Sequence, residues 1–357
     1  MRAIQILPVD AGPFTIGLDV GDRTSRFCVL NGTGQCICES SLSTTISGLR
    51  RAVENLPKTR IALEVGVHSP WMSRELAKSG FEVIVANPRR VQLIAASSRK
   101  DDRMDARTLA RLARLDPNLL APIRHRSSEA QAHLMNIRAR AVLVESRTKL
   151  INAARGLVKS CGERLPAKDS GQVRPDLATH LSASSRNAIL PLLTEIDNIT
   201  KRISEYDRQL EEIARGRYPE LARLKQVNGV GTLVALTFVL TLEDPNRFSS
   251  SRDVGCYLGL RPRRRDSGQS QPQLRISKEG DSYLRQLLVQ SAHHILGPFG
   301  RESDLRRWGM QFAEHGGKNA KRRATVAVAR KLAVLLHHLW KSGAEYDPPW
   351  NDKLKAA

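Results

Sequence analysis

The chain has 357 residues, too many for one typical domain, and two or three are expected. Lys and Arg number 57 against 36 Asp and Glu, and the net charge of +21 points to a polyanionic partner, because each neutralised phosphate releases condensed counterion. Aromatics are only 4% of the chain, which argues against a surface built on base stacking, and no apolar run reaches the ~18 residues of a membrane span. No signal-peptide pattern opens the chain, so a cytoplasmic protein is expected. The cysteines Cys28, Cys36, Cys38, Cys161 and Cys256 are odd in number. Cys36-x-Cys38 lacks a second pair or a nearby His to complete a zinc site, and reads as reduced thiols on a strand.

Strand and helix signals alternate over the first ~115 residues. Strands are expected at 14–20, 26–30 and 35–40, with Asn31-Gly32 as a hairpin signal between the last two. A helix over 44–56, a strand at 60–64, a helix at 71–79, a strand at 81–86 and a helix at 103–115 follow. A three-strand meander, then helix, strand, helix, strand, helix, is the order of the ribonuclease H-like fold. A domain over 1–120 is therefore expected.

Residues 121–220 are helical by pattern. After Ser127, a candidate N-cap, Leu134, Ile137, Ala141, Val144, Thr148 and Ile151 alternate steps of three and four. Ile189, Leu192, Ile196, Ile199, Ile203, Tyr206, Leu210 and Ile213 repeat the alternation. Such a seam is a coiled-coil face, within a helical hairpin or between subunits. A mostly helical domain over 221–345 and a tail over 346–357 complete the chain. Within it, Val227-Asn228-Gly229-Val230-Gly231 has the form of a helix-hairpin-helix turn, which aims backbone N–H groups at a phosphate; a plain tight turn is the alternative. A basic loop spans Arg261 to Gln273, and a later basic segment runs from Lys318 through Lys321, Arg322 and Arg323, contacting nucleic acid or forming a solvated helix face.

Four acids stand out. Asp19 closes the first strand and Glu64 the fourth, and these strands lie side by side in a ribonuclease H-like sheet. Asp102 and Asp105 open a helix on one face. Phosphodiester chemistry needs such a cluster, because Mg²⁺ takes a few hard oxygen ligands and keeps its other positions for water or substrate. Singly, the Asp residues suit a turn or a helix N-terminus. Glu64, ending the apolar run Ala62-Leu63, is costly there if buried and unpaired. Gly17-Leu18-Asp19-Val20-Gly21 also resembles the first phosphate loop of actin-like ATPases, but the one later copy, Asp253-Val254-Gly255, has flanks that read as helix or turn.

Gly17-Leu18-Asp19-Val20, Leu63-Glu64 and Lys100-Asp101-Asp102-Arg103-Met104-Asp105 together resemble the three blocks of the DEDD transposases of the IS110 insertion-sequence family. Val227 to Leu288, with Tyr257-Leu258-Gly259-Leu260-Arg261-Pro262 and Asp266-Ser267-Gly268, resembles that family's second domain. Helical geometry leaves Asp101 and Asp102 both open as the partner of Asp105; the family's Asp-x-x-Asp spacing points to Asp102. The resemblance implies a RuvC-like first domain holding Mg²⁺ on Asp19, Glu64, Asp102 and Asp105. It also implies a serine nucleophile, Ser267, that forms a covalent link to DNA. Arg261, Arg263, Arg264, Arg265, Arg275 and Lys278 surround that serine, as phosphate-positioning groups or a solvated loop. It further implies a homo-oligomer, dimer to tetramer, with composite active sites, a structured noncoding guide RNA, and work beside the bacterial nucleoid. Two other readings are a RuvC-like junction nuclease using water, and a non-catalytic nucleic-acid-binding protein.

Overall fold

The computed structural model describes residues 13–87, 102–265, 267, 270, 272, 274–314, 317 and 319–348; Asp101, Asp266, Gly268 and Lys318, singled out above, lie outside them, as do the side chains of residues 102–104. Five strands, β1 (Thr15–Asp19), β2 (Thr24–Leu30), β3 (Cys36–Ser43), β4 (Arg60–Glu64) and β5 (Glu82–Ala86), form one mixed sheet in the order β3-β2-β1-β4-β5. β1 to β3 are antiparallel neighbours, while β4 runs parallel to both β1 and β5. This order and mixture of directions are those expected of a ribonuclease H-like sheet.

Strand alternation sorts the sheet into two faces. Ile16, Leu18, Phe27, Val29, Ile61 and Leu63 point to one side, where α1 (Ile46–Val53) and α2 (Ser69–Lys78) supply Leu49, Val53, Met72 and Leu76. The other side carries small residues. Cys28, Ala62 and Ala86 pack beneath α3 (Asp102–Leu115), which contributes Ala106, Leu109, Ala110 and Ala113. The turn between β2 and β3 takes its left-handed residue at Gly34, φ 85°, and not at Gly32. The Asn31 carboxamide oxygen accepts from the Thr33 and Gln35 N–H groups, lengthening the expected two-residue turn into a five-residue loop.

The chain divides into two compact units between Ser128 and Glu129. The second is helical. α4 (Ser128–Ser160) and α5 (Ala183–Arg217) run antiparallel, tied by Arg140–Asp207, Arg147–Thr200 and Arg217–Glu129 in matching order. Apolar packing between them is complete only toward one end, where Ile151, Ala154 and Val158 meet Ile189, Leu193 and Ile196. Near the other end, Leu134, Ile137, Leu210 and Ala214 join the main core of the unit.

That core surrounds α7 (Thr232–Leu242), which follows the single turn α6 (Leu221–Leu224) and is buried along most of its length. α8 (Ser251–Tyr257), α9 (Ser282–Leu296), α10 (Asp304–Glu314) and α11 (Ala320–Ser342) pack around it. Asp253 sits inside α8 as half of a capping box with Ser250, so Asp253-Val254-Gly255 forms no strand-borne phosphate loop. Among the described residues, no helix is long and apolar enough to cross a membrane.

Candidate active site and nucleic-acid interface

Asp19 and Glu64 end neighbouring parallel strands. Leu18 pairs with Leu63 across the β1–β4 ladder, so the two acids are the next positions along it. By alternation both lie on the face covered by α3, the side of Gly17 and Ala62. Each is half-buried. Gly17 explains how the helix comes so close: a Cβ there would stand 1.9 Å from the Ala106 carbonyl oxygen and 2.6 Å from the Ala110 nitrogen.

The direction of α3 follows from its other contacts. The Arg60 guanidinium, at the start of β4, donates to the Ala113 carbonyl, and Arg114 donates to the carbonyl of Gly32 in the β2–β3 loop. The C-terminal end of the helix thus lies over the beginning of β4. Its N-terminal end, with Asp102 in the first position and half-buried Asp105 just before Ala106, extends toward the strand ends where Asp19 and Glu64 lie. Asp105 joins Arg107, whose guanidinium grips Glu39 of β3 at 2.7 and 3.0 Å, in the same stretch of helix. Carboxylate oxygens are hard donors of the type a Mg²⁺-like ion takes, but among the described residues Asp19, Glu64 and Asp105 do not stand within 4.8 Å of one another as a ready ligand group.

The basic loop of the second unit is a hairpin. Pro262 pairs with Ile276, the Arg263 N–H donates to the Arg275 carbonyl at 3.0 Å, and the Ser277 N–H donates to the Arg261 carbonyl at 2.9 Å. At its tip Ser267 and Ser270 exchange both backbone hydrogen bonds, at 3.1 and 3.0 Å, which leaves the Ser267 side chain exposed. The base is fixed by backbone that other residues would not tolerate. Gly259 has φ 67°, and a Cβ on it would meet the Glu279 nitrogen at 2.3 Å. Arg285, whose pKa burial lowers, donates to the Leu258 and Glu279 carbonyls beneath it.

Arg261, Arg263, Arg264, Arg265, Arg275 and Lys278 are all exposed along this hairpin. The structure brings them to cations distant in sequence. Arg275 and Lys278 share a cleft of about 1190 Å³ with Arg322, Arg323 and Arg330. A smaller one beside it, about 380 Å³, is lined by Arg252, Arg261, Arg264 and Arg330. Sequence reading passed over Arg252 and Arg330, because single cations on amphipathic helices look like solvated faces. It also passed over Trp308, which stacks on Phe312 and lies under the Lys331 ammonium at 3.9 Å in the larger cleft. Lys321 is exposed on the first turn of α11, outside the residues that line either cleft.

Gly229 and Gly231 occupy different roles in their turn. Gly229 is left-handed, φ 81°, and packed against Ser291 and Ile295. Gly231 is the N-cap of α7, with open space around it and no side-chain capping bond.

Comparison with known proteins agrees across both units. Residues 16–162 match the DEDD model of IS110-type proteins, described as "Transposase", and residues 221–304 match the model described as "Transposase IS116/IS110/IS902 family". The chain is 28% identical to a probable family 20 transposase of Pseudomonas aeruginosa, over 93% of its own length and 98% of the relative's. It is 28% identical to the transposase for insertion sequence element IS1111A of Coxiella burnetii, covering 90% and 88% of the two chains. A third relative, the transposase for insertion sequence element IS1328 of Yersinia enterocolitica, is 28% identical over 78% of this chain and 82% of its own.

Proposed function

Because the chain belongs to the IS110 family of transposases, we propose that it is a DNA recombinase that cleaves and rejoins strands through Ser267, with Asp19, Glu64, Asp102 and Asp105 as metal ligands. One observation carries the reading: β1 and β4 end side by side, on the face crossed by the N-terminal end of α3. A Mg²⁺-type ion held there would offset charge on the scissile phosphate and favour the ionised form of the attacking hydroxyl.

Ser267 sits at an exposed hairpin tip, where its hydroxyl can reach a phosphate presented from outside the chain. Its attack exchanges one phosphoester for another, so the bond energy is retained and rejoining needs no external source. Arg261, Arg263, Arg264, Arg265, Arg275 and Lys278 position the flanking phosphates, and Arg322 and Arg323 extend the track across the cleft. Gly231 offers the uncapped N–H groups of the α7 N-terminus to a further phosphate, in the manner of a helix-hairpin-helix turn. Lys321 widens the same basic surface.

Assembly belongs to the same proposal. Exposed Met135, Val142 and Leu157 on α4 leave apolar surface for a coiled-coil-like contact between subunits, as a dimer or tetramer. Sequence choice by a guide RNA fits a chain of net charge +21 whose cations face outward on a hairpin and helix, because RNA is read largely through shape and backbone.

Trapping on a nicked donor DNA with Mg²⁺ tests the reading. Wild-type protein is expected to form a covalent protein–DNA adduct, and Ser267→Ala to lose it while still binding DNA. Full strand cleavage by Ser267→Ala would leave a water-using nuclease. Asp19→Asn and Glu64→Gln are expected to abolish cleavage with binding intact; unchanged transposition in both would leave a non-catalytic binding protein.

A further inference from the structure

Cys36 and Cys38 share a parity in the sequence, so simple strand alternation puts both on one face of β3. The structure separates them. Cys28 is opposite Glu39 and Val29 opposite Cys38, but Leu30 is opposite Cys36, which leaves Ile37 as the extra residue of a β-bulge. Beyond the bulge the alternation is inverted. Cys38 packs with the core containing Phe27 and Val29, whereas Cys36 turns to the other face, where Cys28 and Glu39 lie.

The result is a group of three donors. The Cys28 and Cys36 sulfurs are 3.5 Å apart, and one ligand atom from each of Cys28, Cys36 and Glu39 falls within 4.8 Å of the others. Two thiolates of a tetrahedral zinc site, each about 2.3 Å from the ion, are roughly 3.8 Å apart, close to the spacing seen here and far from a disulfide bond. We propose that Cys28, Cys36 and Glu39 form a binding site for a thiophilic divalent cation of the Zn²⁺ kind, separate from the carboxylates at the strand ends.

Charge and access fit this assignment. Two thiolates and a carboxylate carry three negative charges; a divalent ion and the adjoining Arg107 guanidinium neutralise them. Cys28 is buried, but Cys36 and Glu39 are exposed, so an ion enters from solvent and completes its shell with water. An incoming ion displaces the thiol protons, as at other thiolate sites. Thiolate sulfur selects against Mg²⁺, which keeps the two sites chemically distinct. Through Arg107 the bound ion would tether the β2–β3 hairpin to α3, the helix that carries Asp102 and Asp105.

The test is a Co²⁺ titration of the full-length, reduced, chelator-treated protein, followed by absorbance. A saturable sulfur-to-cobalt charge-transfer band at one ion per chain is expected, lost on adding Zn²⁺. Carboxylates cannot produce that band, so ions at Asp19 and Glu64 do not interfere. Cys36→Ser, an exposed change that spares the core, is expected to abolish the band with the far-ultraviolet dichroism unchanged. Glu39→Gln should weaken Zn²⁺ binding by at least about tenfold. Cys38→Ser and Cys161→Ser should retain the wild-type titration. Absence of the band in wild-type protein, its survival in Cys36→Ser, or its equal loss in Cys38→Ser would overturn the proposal.

Discussion

Gly17 decides whether the strand-end acids can be crossed by a helix at all. Its missing side chain lets the backbone of α3 lie on β1, with Ala106 and Ala110 directly against it. A methyl group there collides with backbone atoms, which no rotamer change relieves. Gly17→Ala is therefore expected to destabilise the first unit toward or beyond the upper end of the usual overpacking range, about 3 kcal/mol. Amide hydrogen exchange along β1 and α3 reads this directly. A folded variant with wild-type protection in both elements would remove the case for close approach. Glu64 stood out in the sequence because it ends an apolar strand run, whereas Asp19, which by itself suits a turn, stood out only together with the other acids. The reason for Gly17 was not legible, because a glycine inside a short apolar strand carries no signal of what crosses it, and only the helix explains it.

At the scale of elements, α11 begins against its own electrostatics. Lys321, Arg322 and Arg323 occupy the first turn, where the helix dipole favours negative charge, and the N-cap Asn319 makes no side-chain capping bond. Arg323 also has a partner within the chain, so Lys321 and Arg322 are the cations whose place against the dipole is the plainer cost. Replacing Lys321 and Arg322 with Gln is expected to leave thermal stability unchanged or raise it, by up to roughly 1 kcal/mol. The same variant should bind DNA more weakly, and its logarithmic salt dependence should flatten by nearly one unit for each phosphate that is no longer neutralised. A fall in stability with unchanged DNA affinity would make the cluster structural. The elements themselves were largely readable: each strand of the sheet is found within a few residues of its hydrophobic pattern. Devices that depend on pairing were not. The bulge at Ile37 and the ladder under Ser267 leave no mark in periodicity, because each is fixed by which strand lies opposite.

At the scale of the molecule, the acids belong to one compact unit and Ser267 to the other. The proposed composite site makes these two sets come from different subunits, and mixing inactive proteins distinguishes that arrangement from a site built within one chain. Asp19→Asn and Ser267→Ala are each expected to be inactive alone. When the two are co-expressed in equal amounts and purified as mixed oligomers, every chain carries one lesion. Sites built within a chain are then all dead. Sites that take acids from one subunit and serine from another draw them independently, so about a quarter receive two intact sets in a closed symmetric assembly. Covalent adduct at roughly a quarter of the wild-type yield, carried by the Asp19→Asn chain because that chain retains the serine, is the expected outcome. No adduct from a mixture shown to contain both chains would place the acids and the serine of each site in the same subunit.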